Sequence, residues 1–226
     1  MTALLPSLVG LALGMRHALE PDHLAAVSTL ATEERGAHAG FRLGAFWGLG
    51  HTLSLLVVGG SLAMLGAQMP EHVSAAFELA VAVMVMTLGV RAVMKAVREG
   101  RLGAEHAHAH GELVHVHTAP TSHVHVSRWT LATRPLLIGL MHGLAGSGAL
   151  TALVLAELPT AAARISYIVL FGAGSVVGMA MLTGLAGVPL MKLARSPKAT
   201  AALLLVTGLV SVVIGAWWGV ESVSRL

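Results

Sequence analysis

The sequence has no cysteine and very little charge. With no thiol in 226 residues, thiol redox relays, iron–sulfur clusters and thiolate metal sites are excluded. Asp, Glu, Lys and Arg together make up 11% of the chain, against about 25% in a soluble domain. Hydrophobic residues make up 55% and mean hydropathy is +0.78. That deficit of charge gives the class: the chain reads as an integral membrane protein. ATP-binding motifs are missing as well. The run Gly143-Leu144-Ala145-Gly146-Ser147-Gly148 shares only its glycine content with a phosphate loop and lacks the lysine that should follow. The His-Glu-x-x-His pattern of zinc proteases is absent, so an intramembrane metalloenzyme is disfavoured and no enzymatic activity is assigned. No positively charged region precedes the first apolar run, so no cleavable signal peptide is expected.

A membrane-crossing helix needs about 20 apolar residues. Six candidate spans follow, at 3–31, 40–66, 73–97, 130–157, 163–191 and 199–221, with a polar stretch at 99–128 between the third and fourth. The formal charge is +3 with an isoelectric point near 10.0. The basic residues stand at the ends of apolar segments, so membrane topology accounts for them and nucleic acid is not a partner. Arg35 and Arg42 flank the first loop. Arg91, Lys95, Arg98, Arg101, Arg128 and Arg134 flank the third, and Lys192, Arg195 and Lys198 occupy the fifth. The opposite side has Arg164 and Arg225. Positive charge favours the cytoplasmic side, which places those three loops in the cytoplasm and both termini outside a multi-pass protein of the cell (inner) membrane.

The two halves resemble each other. Gly14-Met15-Arg16-His17-Ala18-Leu19 aligns with Gly139-Leu140-Met141-His142-Gly143-Leu144, and Gly48-Leu49-Gly50-His51 aligns with Gly172-Ala173-Gly174-Ser175 at nearly the same offset. Gly89 and Gly215 keep that offset in the third helix of each half. Three helices is an odd number, so a second copy must enter the membrane upside down. Such inverted repeats build transporters with a site near the midplane. The expected fold is therefore all-α: a first three-helix repeat at 1–98, a His-rich cytoplasmic loop at 99–128 and a second three-helix repeat at 129–226. Small residues spaced four apart, as in Gly10/Gly14, Gly44/Gly48, Gly139/Gly143 and Gly174/Gly178, let helix backbones approach closely. His17 and His51 each lie on the stripe that carries such a pair, which turns them inward.

Arg16-His17-Ala18-Leu19-Glu20-Pro21-Asp22-His23 concentrates the chemistry. Polar groups at membrane depth are costly and usually functional. A lone histidine there is more often a helix–helix hydrogen bond, but three polar groups within seven residues are hard to explain that way. Imidazole with carboxylate suits divalent Ni, Co and Zn. On an unbroken helix His17 and His23 would point about 120° apart, too far for chelation. Pro21 lacks an N–H and clashes with the carbonyl of His17, so the helix is predicted to kink or unwind there and free that carbonyl. The break brings His17, Asp22 and His23 around one point, joined by His51. Arg16 and Glu20 either brace or gate this site or neutralise each other at i, i+4. His142 and Ser147, in the second half, are further candidates for bracing or gating, and Ser147 stands where Asp22 stands in the first. Met15 and Met141 are assigned to packing.

His17-x4-Asp22-His23 matches the HX4DH signature of the nickel/cobalt transporter family (NiCoT/NicO type), and Leu49-Gly50-His51-Thr52 resembles that family's second motif. The second half, around Met141-His142-Gly143-Leu144, is similar to compact six-span relatives of the UreH-like urease-accessory and sulfite-exporter-like kinds. The resemblance implies a helical secondary transporter for Ni2+ or Co2+ as transported ion, with no prosthetic group, in which His17, Asp22, His23 and His51 recognise the metal. Glu20-Pro21 and Ser28-Thr29 depart from the family's usual Asp-Ala and Asp-Asn.

Seven of the thirteen histidines, His106, His108, His110, His115, His117, His123 and His125, fall in the central loop. Neutral imidazoles in such a tract capture borderline metals. Val114 to His117 and His123 to Val126 alternate with period two around Thr118–Ser122, the pattern of a hairpin that metal could order. Without metal the loop is expected to be disordered. A divalent cation gains about 4.6 kcal/mol moving inward across 100 mV, so import needs no ATP. The function expected is inward transport. The rivals are export of the same metals and an accessory role supplying metal to an enzyme such as urease. Expected partners are the ion, the bilayer and a metal-accepting cytoplasmic protein.

Overall fold

A computed structural model describes residues 4–30, 37–65, 67, 69–102, 108–110, 113–115, 128–144, 158, 160–193 and 196–226. Among the described residues the regular structure is helical apart from one short strand pair. It runs through α1 (Leu4–His17) and α2 (Pro21–Leu30). Then α3 (Ala37–Ser54) passes through a π-helical turn (Leu55–Gly59) into α4 (Gly60–Leu65). After α5 (Glu71–Leu102) come β1 (His108–His110) and β2 (Leu113–His115). The chain ends on α6 (Arg128–His142), α7 (Ala161–Leu193) and α8 (Pro197–Val223).

Among the described residues four helical stretches are long and apolar enough to cross a membrane: Ala37–Leu62, Glu71–Arg98, Ala161–Pro189 and Lys198–Val223. They correspond to the second, third, fifth and sixth expected spans. The first expected span, 3–31, is two helices of 14 and 10 residues, each shorter than the roughly 20 residues that crossing needs. The fourth begins with the 15 residues of α6, and 145–157 lie outside the described residues.

The break in the first span follows from Pro21. With no N–H to donate and a ring that would meet the His17 carbonyl, it cannot continue α1, but it suits the first position of a new helix. The chain tightens instead: Leu19 N–H donates to Arg16 O at 2.9 Å and Glu20 N–H to His17 O at 3.0 Å, and α2 opens with Leu24 N–H on Glu20 O at 2.9 Å. The predicted break is present, but the His17 carbonyl is not free, because the turn brings a donor to it. α6 ends in the same way. Gly143 N–H donates to Gly139 O at 2.9 Å and Leu144 N–H to Met141 O at 3.3 Å, directly after His142.

Packing depends on backbone contact. α1 packs on α7, α3 on both α6 and α7, and α5 on α8. A Cβ on Gly14 would lie 1.9 Å from the Phe171 carbonyl oxygen, and one on Gly139 would lie 2.0 Å from that of Trp47. A Cβ on Gly174 would likewise lie 2.1 Å from Leu11 O and one on Gly50 2.1 Å from Leu136 O, while a Cβ on Gly89 or on Gly208 would meet the other's carbonyl oxygen. Helices that approach this closely gain dispersion and interhelical hydrogen bonds in place of a hydrophobic force, which lipid cannot supply. The bonds are present: Ser54 Oγ donates to Leu140 O at 2.6 Å, and Thr52 Oγ1 lies 3.0 Å from Gly172 O. The outer face is apolar instead. Val206, Val210, Val213, Trp217 and Val220 are exposed along one side of α8, a pattern unfavourable in water and suited to lipid.

The strand pair is antiparallel, with His108 opposite His115 and His110 opposite Leu113. The expected hairpin turn at Thr118–Ser122 lies outside the described residues. His106, His117, His123 and His125 lie outside the described residues.

Candidate metal centre

His17 is the last residue of α1, Asp22 and His23 open α2, His51 lies near the end of α3, and His142 is the last residue of α6. The helix pairs α1–α7, α3–α7 and α3–α6 carry these residues to one buried place. Asp22 is the most exposed of the five at 6%, and His51 is fully enclosed. His17 and His23 have ring centroids 4.4 Å apart, His17 and His51 4.9 Å, His23 and His51 5.5 Å, and His23 and His142 4.8 Å.

Two sets of potential donors result, each with its donor atoms within 4.8 Å of one another: His17, His23 and His51, and Asp22, His23 and His142. Two donors opposed on one ion, each at about 2.1 Å, would stand about 4.2 Å apart, so either set needs only a small contraction to close on a cation. Sequence reasoning placed Asp22 beside His17, His23 and His51. In the structure Asp22 instead turns toward His142, with Oδ2 3.4 Å from His142 Nε2, and accepts a bond from His23 Nδ1 at 2.8 Å. Asp22 is the second residue of α2, where the helix N-terminus favours a carboxylate, and this fixes its direction.

The ring nitrogens divide into held and open. His17 Nδ1 pairs with Glu20 Oε2 at 2.9 Å, and His23 Nδ1 with Asp22. His17 Nε2, His23 Nε2, and both nitrogens of His51 and His142 are buried with no hydrogen-bond partner. An unmet buried polar group costs about 1–3 kcal/mol, and a cation accepting lone pairs from several of these nitrogens would relieve that cost. Carboxylates on the other ring nitrogen fix the tautomer and raise the basicity of a ligating histidine, the relation Glu20 has to His17 and Asp22 to His23. The C-terminal ends of α1 and α6 both arrive here. Each carries about half a negative charge, and the start of α2 brings about half a positive one to the same place, so the countercharge for a cation comes from the Asp22 and Glu20 carboxylates.

Glu20 therefore braces His17 and does not pair with Arg16, whose residue is exposed. Ser147 lies outside the described residues. Two aromatic residues not singled out from the sequence line the site. Trp47 stacks on His23 at 5.3 Å and meets His142 edge-on at 5.6 Å, with its buried Nε1–H unpartnered. Phe171 lies 5.4 Å from His17. Their signal was legible: Trp47 stands four residues before His51 on the inward stripe, and Phe171 takes the matching place in the second half.

A family model described as NicO, high-affinity nickel-transport protein, matches residues 6–218. The chain belongs to the NicO family. That family is one of transport and accessory proteins, not of enzymes, and a membrane protein with four long apolar helices suits it. This NicO protein is also similar to the urease accessory protein UreH of Bacillus sp. (strain TB-90), with 33% identity over 207 residues, or 92% of this chain and 87% of the relative. No solved structure matches it.

Proposed function

We propose that this NicO protein is a secondary transporter carrying Ni2+ or Co2+ inward across the cytoplasmic membrane. It uses six spans arranged as two inverted three-helix repeats, 1–98 and 129–226, around metal donors at His17, Asp22, His23 and His51. The observation that carries this reading is the set of buried, unpartnered imidazole nitrogens at the meeting of two short helices. A soluble or purely structural role gives no reason to leave them open. Intramembrane sites made by the ends of broken helices, one from each repeat, are a known transporter design.

The paired glycine contacts support the inverted repeat. Gly14 on Phe171 and Gly139 on Trp47 are the same contact with the halves exchanged, as are Gly174 on Leu11 and Gly50 on Leu136. Inward movement down the membrane potential is worth about 4.6 kcal/mol for a divalent ion at 100 mV, more than a thousandfold gradient. Export would need coupling to another ion. With basic loops inside, the histidine loop faces the cytoplasm, where it receives the ion or passes it to a metal-accepting protein.

The test is uptake of radioactive nickel in cells. His17→Ala and His23→Ala should each abolish uptake while the protein still reaches the membrane; wild-type uptake in both variants would reject the site. A second reading is favoured by the similarity to a urease accessory protein, in which the chain supplies metal to an enzyme without transporting alone. Reconstituted liposomes separate the two, since only a transporter loads nickel unaided.

A further inference from the structure

We propose that the ion path has two stations sharing His23, one of three imidazoles (His17, His23, His51) and one of two imidazoles and a carboxylate (Asp22, His23, His142), which a single ion occupies in turn. The proposal rests on the reading of His17, His23 and His51 as metal donors and adds His142 with Asp22 as a separate place for the ion.

Three observations carry it. First, the five donors resolve into two sets, not one: each set closes to within 4.8 Å, and His23 is the only residue common to both. His23 has Nδ1 held by Asp22 and Nε2 open, so a single imidazole sits between the two places and cannot serve two cations closely spaced there. Two divalent ions side by side in a buried, low-dielectric pocket would also repel strongly. Second, His142 is 1% exposed with both ring nitrogens unpartnered, and the 3.4 Å approach of Asp22 to its Nε2 is longer than a good hydrogen bond. A residue meant only to brace Asp22 would be expected to make that bond. Third, the surroundings of the two stations match with the halves exchanged. His17 ends α1 and is covered by Phe171 of α7 at 5.4 Å, whereas His142 ends α6 and is covered by Trp47 of α3 at 5.6 Å. Each station is thus the end of one short helix, capped by an aromatic ring from the opposite half. Asp22 and His23, which have no equivalent in the second half, lie between them.

This arrangement makes ion movement a ligand exchange at one fixed residue. The ion passes from Nε2 of His23, with His17 and His51, to the Nδ1 side of the same ring, with Asp22 and His142, while the Nδ1 proton moves to the Nε2 that the ion leaves, so the imidazole stays neutral. The neutral station and the charged one differ in donor chemistry: the first favours metals that prefer nitrogen, while the carboxylate of the second supplies the countercharge.

The test is a double-mutant cycle read by calorimetric titration of Ni2+ into the purified full-length protein in lipid nanodiscs, with the seven loop histidines replaced by asparagine so that they do not bind the titrant. The parent should bind one ion. His51→Ala should weaken binding by about tenfold or more, the scale that even outer partners of metal ligands carry, yet still bind one ion at the remaining station. His142→Ala alone should weaken binding less than His51→Ala does, while in the His51→Ala background it should cost a further factor of about ten or more. His142→Gln is run in parallel, because it keeps a polar side chain in the buried position and guards against a folding defect. An equal loss from His142→Ala in both backgrounds would mean one composite site, and no loss in either would mean that His142 is not a donor. Each of these overturns the proposal, as would two ions bound at once. Unchanged affinity in both His17→Ala and His51→Ala would instead overturn the three-imidazole reading on which the proposal stands.

Discussion

At the residue scale, the open Nε2 of His17 and that of His23 each depend on a held Nδ1. Glu20 is the clearest case. Its pairing with His17 Nδ1 fixes the proton on that nitrogen and leaves Nε2 to a cation. Glu20→Ala should therefore lower Ni2+ affinity by about 10–100-fold, measured by calorimetry, with the amount of folded protein unchanged; parent affinity would show that Glu20 only caps the turn. That His17, His23 and His51 are buried together was legible from the motif and the inward stripe. The direction of Asp22 was not, because it depends on the start of α2 and on the position of His142, which sits well over a hundred residues away. The pairing of Glu20 with His17 over Arg16 was also hidden, since a sequence gives both partners at comparable spacing and only the tightened turn selects one.

At the element scale, the decisive events are two helix endings and a set of close helix crossings. Pro21 announced the first ending. The second, at His142, has no proline beside it and was legible only through its alignment with the first half. Close crossings make a sharp prediction about glycine. Gly50→Ala would put a methyl 2.1 Å from the Leu136 carbonyl oxygen, whereas nothing lies within 4 Å of a Cβ on Gly59. In thermal unfolding of detergent-solubilised protein, Gly50→Ala should lower the melting temperature or abolish folded protein. Gly59→Ala should be neutral or raise it slightly, since alanine favours a helix over glycine by up to about 1 kcal/mol. Equal effects at the two positions would contradict the α3–α6 packing.

At the scale of the whole molecule, small residues line the close helix crossings and large apolar ones such as Val213 and Trp217 stand on the outer face. Arg225 near the C-terminus pairs with Glu78 of α5, and such a half-exposed pair contributes little to stability. Orientation is a whole-chain property set by the basic residues of alternate loops, and the absence of cysteine makes it easy to read. A single thiol introduced as Ser224→Cys should react with a membrane-impermeant maleimide on intact cells, while Ser127→Cys should react only after the membrane is opened. The opposite pattern would reverse the assigned topology and turn the histidine loop outward.

The sequence by itself determined the membrane class, four of the spans and the break at Pro21, because each rests on local composition, on spacing, or on a residue whose backbone chemistry admits few outcomes. Only the tertiary structure decided how the buried histidines and Asp22 are grouped. Whether Asp22 faces His17 or His142 depends on how closely α3 can approach α6 and α7. That approach is set by glycines in contact with distant carbonyls, a long-range relation that spacing along the chain does not contain.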